Sequence, residues 1–126
     1  MNFAQHACQP VRLTDKFAQL VDHWNPRIIA EFNGQEVRVA RMVGEFTWHS
    51  HADSDELFLV VEGVLEMVFR DRVISLHPGE LIVVPRGVEH RPRATQECLA
   101  LILDRAGEPN TGDRPSHLTR PPLEWI

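Results

Sequence analysis

The sequence predicts an all-β fold, an antiparallel sandwich or barrel, that follows one short helix. Short apolar or alternating runs recur along most of the chain, and turns rich in Gly, Pro and Asp separate them. No helical periodicity interrupts this series, so the strands are expected to pack on each other rather than on helices. At 126 residues the chain is long enough for one domain with its own core, and residues 1–126 are assigned to a single domain.

The N-terminal part is predicted to contain an arm, residues 1–12, and then a helix over residues 13–25. Four apolar residues recur there at the spacing of one helix face: Phe17, Leu20, Val21 and Trp24. Thr14 is suited to cap the start of this helix. Pro26 ends it, because the residue before a proline avoids the helical region.

Residues 26–103 are predicted to form the β-structure. It begins with two strands joined by Asn33-Gly34, the dipeptide that most strongly indicates a two-residue hairpin turn. The later strands are predicted at Leu57–Glu62, Leu65–Arg70, Val73–Leu76, Leu81–Val84, Glu89–Pro92 and Cys98–Leu103. Residues 104–126 have the composition of a loop but end in an apolar Leu-Glu-Trp-Ile, so we expect this tail to dock on the body or on a partner subunit.

Three histidines and one glutamate are the candidate metal ligands. If the chain around His49 and His51 is extended, the two-residue strand period places both rings on one face. Glu56 follows after a polar loop, and His90 must come from a distant strand. Neutral imidazole and carboxylate suit borderline divalent metals, and this set leaves open positions on an octahedral ion. Taken alone, the His-x-His pair fits two solvated polar residues equally well.

The spacing around these residues resembles the two motifs of the cupin superfamily. The first motif, Gly-x5-His-x-His-x3/4-Glu-x6-Gly, is matched by His49, His51, Glu56 and Gly63. The second, Gly-x5-Pro-x-Gly-x2-His-x3-Asn, is matched by Gly79, Pro85, Gly87 and His90. The chain departs from the motifs at two positions, since four rather than five residues separate Gly44 from the first histidine and Ala94 replaces the final Asn. The resemblance covers residues 36–103 and is to the small single-domain bacterial members.

This resemblance implies a cupin-type antiparallel β-barrel, also called a double-stranded β-helix or jelly roll, with a short N-terminal helix. It implies that the four matched His and Glu residues hold a divalent transition metal ion, which the residues do not identify among Fe, Mn, Ni and Zn. It also implies a homodimer, for which the strand over residues 26–32 is the candidate contact.

The functions of such proteins are diverse and include dioxygenases, decarboxylases, sugar-phosphate and sugar-nucleotide isomerases or epimerases, and binding modules. Two hypotheses remain for this chain. In the first, it is a metal-dependent enzyme of the dioxygenase, isomerase or lyase type that acts on a small oxygenated organic molecule. In the second, it is a non-catalytic ligand-binding or sensing module in which the metal is structural.

The wall of a substrate pocket beside the ion is predicted from strand parity. Four residues are expected to face inward, or else simply to fill a small barrel: Phe58, Val60, Met67 and Phe69. Counting alternate residues back from His49 along the preceding strand places Arg41 on the inward face as well, where it would bind an anion. One bulge at Gly44 would reverse that parity and leave this arginine exposed. No second acid or base is found at a convincing spacing.

Composition excludes several classes of partner. Thirteen basic against eighteen acidic residues give a formal charge of −5, which argues against a nucleic-acid or anionic-membrane partner. No apolar run approaches the length of a spanning helix, and the N-terminus lacks the pattern of a secretory leader. Cys8 and Cys98 are expected to be free thiols, the second in the core. We therefore expect a cytoplasmic protein whose partner is a small molecule.

Overall fold

The computed structural model describes residues 7–126, so the first half of the predicted arm lies outside the described residues. One short helix, α1 (Leu13–Ala18), precedes the strands. The strands are β1 (Arg27–Phe32), β2 (Gln35–Glu45), β3 (Glu56–Glu62), β4 (Leu65–Val68), β5 (Val73–Leu76), β6 (Leu81–Val84) and β7 (Arg91–Arg105). Within the described part of the chain, no helix is long and apolar enough to cross a membrane.

The strands pair in antiparallel fashion in the order β1-β2-β7-β3-β6, and β4 joins β5 to the start of β7. Because β7 pairs with β2 along most of its length, with β4 at its beginning and with β3 at its end, it belongs to both walls of the shell. The predicted antiparallel jelly-roll barrel is therefore confirmed.

One predicted break in the β-structure is wrong. The sequence predicts two separate strands at Glu89–Pro92 and Cys98–Leu103, but β7 is a single strand from Arg91 to Arg105. The register against β2 shifts between the pairs Met42–Cys98 and Gly44–Ala94. The exposed polar residues between those pairs therefore bulge outward, and pairing resumes on both sides of them.

The first hairpin has the predicted geometry. Its two turn residues, Asn33 and Gly34, have φ values of 50° and 75°. Positive φ at both central residues is what a type I′ turn requires, and the Asn-Gly pair adopts it at little cost. The turn fixes the register of β1 on β2 from Phe32 back to Ala30, where the register shifts before Ile28. The longer strand, β2, carries side chains into the barrel.

The N-terminal helix is shorter than predicted. It ends at Ala18 rather than at residue 25, and Thr14 lies inside it, because Arg12 occupies the capping position without a side-chain cap. Beyond the helix, Val21 is 89% exposed, whereas Trp24 is buried with a φ of 54°. The indole of Trp24 donates to the carbonyl of Val43, so packing into the barrel overrides the helical pattern.

Two apolar clusters hold the shell together. The main core fills the barrel, and a smaller one lies between α1 and the outer face of β1 and β2. The C-terminal tail docks as predicted, because the backbone of Ile28 bonds to Glu124 and Ile126 and the side chain of Ile126 packs on the smaller cluster. Both cysteines are free thiols, with Cys8 exposed and Cys98 buried in the main core.

Candidate metal centre

The four residues predicted as ligands form one buried cluster. The ligand atoms of His49, His51, Glu56 and His90 all lie within 4.8 Å of one another. All four side chains are buried although each carries polar atoms. Because buried polar atoms need partners, this convergence is costly unless the atoms share a proton or an ion.

The backbone brings the histidines together. His49 and His90 form an isolated antiparallel bridge, in which each N–H donates to the other's carbonyl, at 3.1 and 2.9 Å. The extended strand expected around His49 is limited to this bridge, since β2 ends at Glu45. Gly87, at a φ of 79°, donates its N–H to the carbonyl of His51 and turns the chain towards His90. Glu56 is the first residue of β3 and completes the cluster.

Each imidazole is oriented by a hydrogen bond from Nδ1. His49 donates to the carbonyl of Thr47, His90 to that of Val88 and His51 to Oε1 of Glu108, each at 2.9 Å. A ring that donates from Nδ1 presents Nε2 to a metal, and such outer partners are the usual support of histidine ligands. Glu108 is absent from the sequence prediction, because nothing in its loop-like surroundings distinguishes it.

The donor set fits a divalent transition metal ion. Nε2 of His90 lies 3.0 Å from one oxygen of Glu56, and Nε2 of His51 lies 3.4 Å from the other. Nε2 of His51 is buried and makes no hydrogen bond within the described part of the chain. An orphaned buried nitrogen costs about 1–3 kcal/mol, and an ion among three imidazole nitrogens and one carboxylate would remove that cost.

The electrostatics also prepare the cluster for a cation. Burial, followed by the charge of His90, lowers the pKa of His49 to about 4, so this ring is neutral and free to bind a metal at pH 7. Burial alone would lower the pKa of His51, but contact with Glu56 raises it to about 9. Burial alone would raise the pKa of Glu56, but the close approach of His51 and the hydrogen bond with His90 hold it well below its usual range. Without a metal, His51 therefore keeps a proton beside the carboxylate.

A second polar group adjoins the cluster and was not predicted. Arg38 is 1% exposed, and its guanidinium donates to Glu36 at 2.6 and 3.1 Å, to Asp104 at 3.0 Å and to the carbonyl of Glu108 at 2.9 Å. Burial and the charge of Glu56 raise the pKa of Asp104 well above its usual range. No N–H group of the described residues donates to Oδ1 of Asp104, whose carboxyl contacts that of Glu56.

The predicted inward arginine was the wrong one. Arg41 lies outside the barrel, where it donates to the carbonyls of Leu20 and Phe17 and to the carboxylate of Glu97. The register shift between Met42 and Gly44 reverses the parity counted back from His49. The alternate set on β2, Arg38, Ala40 and Met42, faces the interior instead.

A small cavity lies beside His49 and Glu56. The space open to the centres of water molecules is ≈ 30 Å³, enough for about two waters at roughly 10–15 Å³ each. Its apolar wall includes Trp24, Phe46 and Phe58, and its polar wall includes Arg38, Asp104 and Asn110. Of the four predicted wall residues Phe58 lines the cavity, whereas the other three pack in the main core: Val60, Met67 and Phe69.

The chain after β7 closes the site from outside. Asp113 and Ser50 exchange hydrogen bonds, at 3.0 Å to the carbonyl of Ser50 and at 2.7 Å from its N–H. Gly112 crosses this contact at a φ of 54°, and a Cβ there would overlap the carbonyl oxygen of Ser50. The segment from Glu108 to Asp113 therefore straps the loop that carries the first two histidines.

Comparison with known proteins agrees with this geometry. Residues 35–104 match the model of the cupin domain. The uncharacterized protein YdbB of Bacillus subtilis (strain 168) is 43% identical over 77 residues, which make up 60% of this chain and 68% of YdbB.

Two solved structures superpose on most of the chain. A cupin-2 domain containing protein from Shewanella frigidimarina NCIMB 400 has a TM-score of 0.75 at 43% identity, over 81% of this chain and 97% of that one. Protein NMB1881 from Neisseria meningitidis has a TM-score of 0.70 at 30% identity, over 77% of this chain and 99% of that one. The chain belongs to the cupin family, because its fold, its two motifs and its similarity to these proteins all agree.

Proposed function

We propose that this cupin is a metal-dependent enzyme of the dioxygenase, isomerase or lyase type that acts on a small oxygenated organic molecule. The observation that carries the proposal is the cavity beside His49 and Glu56, whose wall holds Asp104, an acid with one oxygen that receives no hydrogen bond from the described N–H groups. A purely structural ion is enclosed by its protein ligands, whereas a catalytic ion keeps an open position beside space for a substrate.

The roles of the residues follow from their contacts. His49, His51, Glu56 and His90 would hold an Fe, Mn, Ni or Zn ion, which supplies Lewis-acid polarisation of a substrate oxygen and, if it is iron, O2 chemistry. The aromatic side chains supply the apolar side of the cavity, and the Arg38–Asp104 pair supplies its polar side. The small volume restricts the buried part of a substrate to a few atoms.

The alternative is a ligand-binding or sensing module with a structural ion. It is favoured by the way the ligand loop is secured, since Ser50 is strapped by Asp113 and His49 is paired to His90 through the backbone. An ion at this junction would tie three separate segments together, and its loss would then lower the melting temperature sharply.

The homodimer is also a proposal. The β1 edge, which is the contact predicted from the sequence, is paired at Ile28 with the C-terminal tail. Large exposed apolar side chains on β5 and β6 offer further surface, with Val73 46%, Leu81 57% and Val83 48% exposed. Light scattering tests the dimer, and a monomer in solution would refute it.

A cytoplasmic location is proposed as well, supported by the free cysteines and the formal charge of −5, and fractionation of the source cells tests it.

The enzyme proposal is tested by anaerobic reconstitution of the metal-free protein with each of the four metals. Oxygen uptake and product formation are then measured across a panel of hydroxy ketones, diols and keto acids, with His49→Ala as the control that removes one ligand. Metal-dependent turnover that is absent from the variant supports the enzyme. Tight binding of a panel compound without turnover by any reconstituted form supports the binding module.

A further inference from the structure

We propose that Asp104 is a specificity-determining residue. It contacts the small molecule that binds to the metal ion, and it selects molecules that present a hydroxyl group. This inference rests on the proposed function, since it concerns the same cavity, and it narrows the substrate class to neutral hydroxyl-bearing compounds such as hydroxy ketones, diols and sugars.

The first support is the unsatisfied oxygen. Asp104 is 2% exposed and lines the cavity together with His49 and Glu56. Its Oδ2 accepts a hydrogen bond from Arg38 at 3.0 Å, whereas no N–H group of the described residues donates to its Oδ1, and the other polar group that Asp104 contacts is the carboxyl of Glu56. Leaving a buried polar atom unpaired is costly, and such atoms in native proteins commonly mark a functional contact. A ligand that enters the cavity is in position to satisfy this oxygen.

The second support is the rigidity of the carboxyl group. Arg38 is itself anchored by Glu36 and by the carbonyl of Glu108, so it cannot swing towards the ion without breaking three hydrogen bonds. Arg38 donates to Oδ2 of Asp104, so it fixes the orientation of the carboxyl group without contacting Oδ1. A group held in this way discriminates between ligands by geometry, because it does not rearrange to suit a poorly matched one.

The third support is the charge of the wall. Among the described residues that line the cavity, Arg38 is the one arginine or lysine, and it is shared between Asp104 and Glu36, which lies outside the wall. Glu56 adds a second carboxylate to the wall. A ligand carboxylate facing Asp104 would add like charge in a buried setting. A hydroxyl both donates and accepts hydrogen bonds, so it satisfies Oδ1 whether the carboxyl is charged or neutral.

Hydroxyacetone and pyruvate are a matched pair of probes for this selection. They share a three-carbon keto skeleton, and they differ in having a hydroxymethyl group or a carboxylate next to the ketone. Each is titrated against protein loaded with Co²⁺, whose visible spectrum reports exogenous ligands. The measured quantity is the ratio of the dissociation constant of pyruvate to that of hydroxyacetone, and the metal content of every sample is determined in parallel.

Asp104→Asn keeps the shape of the side chain, carries no negative charge at any pH and offers an amide N–H to a carboxylate. We expect the ratio to fall by about tenfold or more, the value of one hydrogen bond to a charged group. Glu36→Gln is the matched control, because it also removes a carboxylate that contacts Arg38 but does not line the cavity. It should change both dissociation constants alike. Asp104→Ser is a second variant that should lower the ratio in the same direction, and melting curves verify that all three variants fold.

The outcomes separate the two proposals. If Co²⁺ binds but the ratio is the same in the Asn variant, if the Glu36 variant shows the same fall, or if neither probe changes the spectrum of the wild type, then the role of Asp104 is refuted and the metal site stands. If the wild type takes up no metal, the proposed function itself fails.

Discussion

The contact between Glu108 and His51 gives a sharp prediction about metal affinity. The carboxylate accepts the Nδ1 hydrogen of His51 at 2.9 Å, and the Glu108 side chain is 17% exposed, so water replaces it poorly. Removing such an outer partner typically weakens metal binding by about 10- to 100-fold, because the ring loses its orientation and part of its basicity. Glu108→Ala should therefore raise the dissociation constant by that factor, equivalent to about 1.4–2.8 kcal/mol.

The assay is a competition titration of Zn²⁺ or Co²⁺ between the protein and a chromophoric chelator at pH 7.5. Glu62→Ala is the matched control, because this residue is exposed at the opposite end of β3 from Glu56. Glu108→Gln keeps an acceptor oxygen and should recover part of the lost affinity. If the alanine variant folds and binds the metal as tightly as the control, Glu108 does not orient His51 and the reasoning is refuted.

The pKa of His51 is raised to about 9, so below that pH the ring must lose a proton before it can bind a metal. The affinity for the metal should therefore rise about tenfold per pH unit between pH 6.5 and about 9. Over the same range the metal-free protein should lose stability, since the folded state holds this proton more tightly than the unfolded chain does. Proton release on metal binding, measured by calorimetry, checks the first expectation, and urea denaturation of the metal-free protein at several pH values checks the second. An affinity or a stability that does not change with pH contradicts the corresponding expectation. Gly112→Ala should destabilise the protein by about 1–3 kcal/mol and weaken metal binding, because its Cβ overlaps the strapped loop. Gly107→Ala, with a similar positive φ but open space, is the control, and equal effects on metal binding would refute the strap. Arg38→Met should cost about 3–5 kcal/mol in urea denaturation, because it strands two buried carboxylates. Arg41→Met breaks the half-exposed ion pair with Glu97 and should lower the free energy of unfolding by less. A larger loss in the Arg41 variant than in the Arg38 variant would show that the buried ion pairs of Arg38 are not the more stabilising ones.

The sequence predicts the four members of the cluster because their spacing reflects local geometry. A His-x-His pair beside a polar loop and a Pro-x-Gly turn before His90 are short-range patterns, and the structure shows the same bridge and turn. The Asn33-Gly34 hairpin is predictable for the same reason, since its two positive φ values are a property of two adjacent residues.

The rest of the site depends on long-range registers that no local pattern determines. Whether Arg38 or Arg41 faces inward depends on the register shift near Gly44, which forms only when β2 pairs with β7. Asp104 lies just beyond the predicted end of a strand, and Glu108 lies in a segment with loop composition. Both residues reach the cluster only because β7 runs on past its predicted end and the chain after it folds back over the barrel mouth.

The helix shows how packing overrides a periodic pattern. The spacing of apolar residues favours a helix to residue 25, but Leu20 and Trp24 pack into different clusters on opposite sides of β2. One helix face cannot serve both clusters, so the chain leaves the helical path after Ala18 and exposes Val21.

The central claim is that side chains from three separate segments converge on one ion. X-ray absorption spectroscopy of the reconstituted protein, with its metal content measured in parallel, tests this claim most directly. We expect one ion per chain and three imidazole nitrogens at about 2.0–2.2 Å, with the imidazole signal reduced by one third in His90→Ala. An ion coordinated by oxygen alone, or a spectrum unchanged in that variant, would contradict the account.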